Sequence, residues 1–168
     1  MGYVNDTAMS LYVPPTLFHC VTGTWTQAAG AVTDTICMHK AAGAETAVVN
    51  IPIMLPSNSV ALKGSYLKSI EIDYELKAAG ATSVTAVLNK VTRGVDGAVA
   101  VVSTPAITQD LAAGSAAATQ AKHKLTVTLT TPEWIDNDVY FLLELSLICA
   151  GTVTVDILGA VANSTLRI

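Results

Sequence analysis

The sequence predicts an all-β protein: a single domain over residues 1–168, folded as an antiparallel β-sandwich of about eight strands. Three observations carry this reading. Apolar and polar residues alternate with period two in several segments. Gly, Pro, Asn or Asp punctuates those segments at regular spacing. Helical periodicity is missing: the one helix-compatible stretch, Asp110 to Ala121, is interrupted by Gly114 and Ser115 and reads as a loop or one short helical turn.

Taken in order, Met1 to Pro15, which contains Pro14-Pro15, reads as an extended arm. Val32 to Lys40 alternates Thr33, Thr35 and Cys37 with Val32, Ile36 and Met38. Ala44 to Ile53 is a β-branched run ending near Pro52. Ser65 to Leu76 is the clearest strand, with Tyr66, Lys68, Ile70, Ile72, Tyr74 and Leu76 on one face and Leu67, Ser69, Glu71, Asp73 and Glu75 on the other. A turn over Lys77 to Gly80 leads into Thr82 to Val91, and the two strands read as a hairpin. Ala98 to Ser103 and Lys124 to Thr130 are shorter strands. Val139 to Cys149 is apolar on both faces, which calls for a central strand or one covered by a neighbouring subunit. Thr152 to Leu158 and Ala162 to Ile168 close the chain, and Asn163 to Ile168 is a second candidate arm.

Composition constrains function. Apolar residues make up 51% of the chain and charged residues only 13%, against roughly 25% charged in an ordinary soluble domain. Mean hydropathy is +0.50. The longest apolar run, Val139 to Ala150, is interrupted by Glu144 and Ser146 and is too short for a membrane helix. The surplus therefore predicts surfaces covered by protein, which favours assembly over catalysis. The net charge is -4 and the nine Lys and Arg residues are dispersed, so neither nucleic acid nor a membrane is an expected partner. The N-terminus lacks the features of a signal peptide, and Asp6 stands where a myristoylation motif needs Ser or Thr. Three cysteines, Cys20, Cys37 and Cys149, cannot close a disulfide framework and read as buried free thiols, in keeping with assembly in a reducing cytoplasm.

Few constellations suggest chemistry. His19-Cys20 and Cys37-Met38-His39 hold a zinc-type donor set, but adjacent residues of a strand point to opposite faces, so only Cys37 and His39 can share one. Asp136-Asn137-Asp138 reads as a polar turn, since the EF-hand spacing is absent. Glu71, Asp73 and Glu75 share one strand face and read as a solvated surface, although glycosidases also place carboxylates on strands. Trp134 reads as a plug at the end of the sandwich. His19, His39 and His123 have no Gly-x-Ser-x-Gly nucleophile elbow to serve. No catalytic, cofactor-binding or metal-binding residue is assigned, no cofactor is implied, and the protein is not expected to be an enzyme.

Two stretches carry a family resemblance: Ile51 to Asn58 with Leu62 to Leu76, and Pro132 to Leu145 with Gly159 to Ile168. Together they resemble small β-sandwich virion structural proteins of phages. The resemblance implies a jelly-roll-like, oligomeric protein attached to or forming a capsid, and it brings no functional residue with it. The expectation is a capsid decoration (cement) protein: a homo-oligomer, a trimer by preference, bound to the major capsid protein or other virion proteins, assembled in the host cytoplasm and located in the virion. The alternatives are a single-jelly-roll capsid protein and a tail or fibre module that binds a glycan. The glycan reading requires Trp25 and Trp134 to be exposed.

Overall fold

The computed structural model describes residues 6–29, 36–57, 64–94, 96, 98, 100–112 and 116–167. Among them are twelve strands and one short 3-10 turn, Pro15–Leu17. In chain order the strands are β1 (Asp6–Val13), β2 (His19–Thr22), β3 (Trp25–Ala29), β4 (Ile36–Lys40), β5 (Glu45–Ile53) and β6 (Ser65–Lys77). They continue with β7 (Ser83–Thr92), β8 (Val101–Ser103), β9 (Ile107–Gln109), β10 (Lys122–Ile135), β11 (Val139–Cys149) and β12 (Thr154–Arg167).

The strands form two antiparallel sheets. A seven-stranded sheet runs β3-β4-β12-β6-β10-β9, with β1 also paired to β12. A five-stranded sheet runs β2-β5-β11-β7-β8. Inside this arrangement, β4-β12-β6-β10 faces β5-β11-β7-β8, and from each of these eight strands to the next the chain changes sheet, except from β7 to β8. This alternation is the double Greek key of a jelly roll. Twelve strands stand where about eight were expected: eight make up this framework, and β1, β2, β3 and β9 are additions to it.

Three expectations need correction. Ser65–Leu76 and Thr82–Val91 do not form a hairpin. Both edges of β6 are occupied by β12 and β10, and β7 pairs with β11 in the other sheet. The connection is a corner: Ala78 adopts a φ of 65°, and a Cβ on Gly80 would come within 2.6 Å of the Ala118 carbonyl. Secondly, Asp6–Val13 is not a free arm, because β1 is zipped to β12 from Asp6↔Arg167 to Val13↔Ala160. The two candidate arms pair with each other. Thirdly, Trp134 does not plug the sandwich end. It pairs with Tyr66 on the outer face, while its neighbour Ile135 points inward and is buried. Of the Val32 to Lys40 strand, residues 32–35 lie outside the described residues.

The core is built by the inner face of each sheet. Ile70, Ile72, Leu125, Val127, Ala160 and Ala162 meet Val49, Ile51, Leu88, Phe141, Leu143 and Leu145, all with no accessible surface. Each large member contributes about 1.5–3 kcal/mol of burial free energy. Tyr74 is also fully buried, and its hydroxyl donates to the Ala117 carbonyl at 2.6 Å.

One charge is buried as well. Lys40, with no accessible surface, donates from Nζ to the carbonyls of Ala41 (2.8 Å) and Gly43 (3.1 Å) and pairs with Glu45 at 3.2 Å. Glu45 also accepts from the Thr24 amide and hydroxyl. Lys40 lies in one sheet and Glu45 in the other, so the pair ties the two layers together at β4 and β5. Removing one partner of such a pair strands a buried charge, whereas an apolar replacement of the lysine does not. Glu45→Ala is expected to cost about 2–3 kcal/mol, less than a fully buried pair because Glu45 is partly exposed. Lys40→Met is expected to cost less than Glu45→Ala, an order that urea melts of the two variants will check.

Candidate functional site

The two outer faces of the sandwich differ in character. The seven-stranded sheet presents a polar, ion-paired face. Glu71 pairs with Lys124 at 3.0 Å and accepts from Asn163 at 3.0 Å. Asp156 accepts from Lys77 and lies 2.6 Å from His39 Nδ1. Arg167 pairs with Asp6 at 3.0 Å. Glu71, Asp73 and Glu75 do share one face, as expected, and it is a solvated, paired surface rather than a cleft.

The outer face of the five-stranded sheet is poor in charge, with apolar residues interspersed among Thr46, Asn50, Ser83, Thr85, Asn89 and Ser146. Its rows contain Val48 and Pro52 of β5, Tyr140, Leu142 and Ile148 of β11, and Val87 of β7. Tyr140 is 49% exposed, Ile148 45% and Val87 38%, and Glu144 and Ser146 stand between Tyr140 and Ile148 on β11. Glu144 is the one acidic or basic residue between Tyr140 and Ile148 on this face of β11, and among the described residues no ion pair lies on it. Opposite Glu144, the Asn50 side-chain oxygen is buried without a hydrogen-bond partner among the described residues. β11 is thus central in its sheet and carries a single charged residue, Glu144, on its open side.

Two depressions mark the end of this face. One, of about 490 Å³, is lined by His19, Asn50, Pro52, Met54, Tyr140 and Leu142. The other, of about 520 Å³, is lined by Arg93, Asn137, Asp138 and Tyr140. Tyr140 borders both.

The donor set considered for zinc is split by the strands. Cys37 and His39 lie on the outer side of β4 beside Asp156, whereas Cys20 Sγ lies 3.7 Å from Met38 Sδ, a residue of the core. Among the described residues no group of three or more His, Cys, Asp or Glu side chains is placed to hold a metal ion. Cys20 is exposed, against expectation, because β2 is the edge strand of its sheet; Cys37 and Cys149 are buried. Burial pushes all three thiols up, so none is poised as a reactive thiolate. Asp136-Asn137-Asp138 forms the expected turn, with the Val139 amide donating to the Asp136 carbonyl.

Trp25 and Trp134 are both half-buried. The Trp25 indole N–H donates to the Thr22 carbonyl at 2.9 Å. Trp134 meets Tyr66 edge-on, with ring centres 4.4 Å apart, and lies over Gly64, where a Cβ would come within 2.8 Å of the indole. Neither tryptophan forms an open flat platform. The sequence pattern had no signal for the Tyr66–Trp134 pairing, which depends on strand register.

No protein-family description and no curated protein matches this chain. Among solved structures, the chain is similar to a family 11 carbohydrate-binding module from Clostridium thermocellum, in complex with a beta-1,3-1,4-mixed-linked tetrasaccharide. The identity is 9%, the TM-score is 0.34, and the alignment covers 98% of this chain and 89% of that one. At that TM-score the likeness carries no argument about ligand or function. The class defined by the coordinates is an antiparallel jelly-roll β-sandwich.

Asp156 sets an acid limit on the ion-paired face. Burial alone would raise its carboxyl, but the hydrogen bonds from His39 and Lys77, with the Lys77 charge, outweigh it and hold it below the ordinary carboxylate range. A depressed folded value stabilises the fold above the unfolded value, near pH 4, and that stability is lost as pH falls through the folded value. Asp156→Asn is expected to cost about 1–3 kcal/mol at pH 6 and to flatten the loss of stability below about pH 4. Urea midpoints of both proteins between pH 6 and pH 2 will check this, and parallel curves would contradict it.

Proposed function

We propose that the chain is a virion structural protein: a decoration (cement) subunit of a phage head that works as a homo-oligomer, with the trimer favoured, and performs no chemistry. The observation that carries this reading is the charge-poor outer face of the five-stranded sheet, with Tyr140, Leu142 and Ile148 exposed or partly exposed on β11. With so few charges on that face, a strongly charged partner finds little to pair with, whereas a second copy of the same face or a similar uncharged surface can dehydrate it at low cost. The 13% charge content points the same way. The stretches that resemble phage virion proteins fall on β5, β6, β10, β11 and β12, which belong to the jelly-roll framework. Jelly rolls serve viral capsid and lectin domains alike, so the fold supports the reading without deciding it.

The test is the assembly state. Mass photometry and light scattering over a concentration series are expected to give a discrete oligomer, with binding to empty capsids. Leu142→Glu places an unpaired carboxylate in the proposed contact, beside Glu144. A penalty of about 3 kcal/mol there corresponds to roughly a hundredfold weaker association, with the monomer's thermal melt largely retained. A wild-type monomer at high concentration would sink the reading. Spontaneous closed shells would move it to a capsid protein.

A further inference from the structure

We infer that the outer face of the seven-stranded sheet carries a binding groove for an acidic saccharide, formed by Tyr66, Lys68, Thr165, Arg167 and Asp6. This site is on the sheet opposite the proposed association face and does not depend on it.

The groove arises where three strands lose register together. The pairing of β6 with β12 shifts between Asn163 and Ser164, and its pairing with β10 shifts between Thr128 and Glu133; both irregularities fall at Lys68. The flat sheet surface is interrupted there, leaving a depression of about 320 Å³ lined by Asp6, Tyr66, Lys68, Pro132, Thr165 and Arg167. That volume is at the small end for a ligand site and suits one or two sugar rings.

Its chemistry is selective. Register places Thr165 beside Tyr66, and Asp6 opposite Arg167. Arg167 Nε donates to Asp6 at 3.0 Å, and the guanidinium lies 5.7 Å from the Tyr66 ring centre. The pair offers N–H donors and carboxylate acceptors side by side, which adjacent sugar hydroxyls, each both donor and acceptor, can match. The Tyr66 ring, braced by Trp134, supplies an aromatic wall for ring C–H groups.

Two features point to a ligand rather than to a merely polar surface. Thr165 is only 8% exposed, yet its hydroxyl oxygen has no hydrogen-bond partner among the described residues. A buried hydroxyl without a partner costs free energy, and a ligand group recovers it where rotation of the Thr165 side chain turns the inaccessible oxygen into the groove. Lys68 is exposed and forms no ion pair with a described residue, although its charge helps hold the Asp6 carboxyl below its ordinary range after the larger effect of Arg167. Two cations and one carboxylate leave a single positive charge. Asp6 repels a phosphate dianion, whereas a sugar carboxylate can meet Lys68 while its hydroxyls meet Asp6 and Arg167.

Isothermal titration calorimetry of the full chain tests this with trigalacturonate and sialyllactose as probes, and maltotriose and inorganic phosphate as comparisons. At least one acidic probe is expected to bind about tenfold or more tightly than maltotriose or phosphate. Lys68→Gln is expected to weaken that binding about fivefold or more, with an unchanged melting temperature. Thr165→Val removes the unpaired hydroxyl, so it should melt no lower than wild type while binding more weakly. Failure of both acidic probes to bind, equal binding of maltotriose or phosphate, or full binding by Lys68→Gln or Thr165→Val would overturn the proposal.

Discussion

The seven-stranded sheet depends on the pairing of β12 along both edges. One edge runs against β6 from Thr154 to Leu166, and the other is shared between β4 near Asp156 and β1 from Val13 to Asp6. A strand with period two has one inward and one outward parity, so an extra residue exchanges its faces. In β12 that residue is Leu158: Ile157 pairs with Tyr74 and Gly159 with Asp73. The exchange lets Asp156 face outward to His39 and Lys77 while Ala160 and Ala162, of the same parity, face the core. In β6 the extra residue is Lys68, which turns outward while Ile70 and Ile72 turn inward. Without these two bulges, either a charge would enter the core or apolar residues would leave it.

Those bulges mark the limit of what alternation could reveal. Strict period two placed Tyr66 and Lys68 with Ile70 and Ile72, and Leu67 with Glu71; the structure turns Tyr66 and Lys68 outward and Leu67 inward because Lys68 is an extra residue between Leu67 and Ser69. The long strands β5, β6, β7 and β11 were legible because each has a sustained apolar face against the opposite sheet. The β6–β7 hairpin was not, since two adjacent alternating strands look the same whether they pair or cross between sheets. β1, β2 and β3 have weak alternation: they are edge additions, and most of their residues remain exposed. The charge-poor outward side of β11 was legible in Tyr140, Leu142 and Ile148. The groove at Tyr66 and Arg167 was not, because it joins residues far apart in sequence through register alone.

The low charge content is therefore distributed unevenly in space. The ion pairs gather on the seven-stranded face or tie the two sheets together, as Lys40–Glu45 and Lys90–Glu133 do. Surface pairs of this kind contribute little stability each, but they keep one face hydrated and resistant to nonspecific contact. Among the described residues the five-stranded face carries no ion pair. A monomer selected only for solubility would place some of its charges there, so their concentration on the opposite face is an argument for coverage.

Separation of the two faces also bears on how both proposals can hold together. Association through β5, β11 and β7 buries Tyr140 and Leu142 and leaves the bulged region around Lys68 on the far side of the core. Inward side chains of both sheets lie between them, so covering one face need not occlude the other. The jelly roll makes this possible by dividing successive long strands between the sheets: β6 and β12 shape the groove, while their chain neighbours β7 and β11 build the charge-poor face. Under the two proposals, a single core would support a face for neighbours of its own kind and a separate polar depression for a ligand.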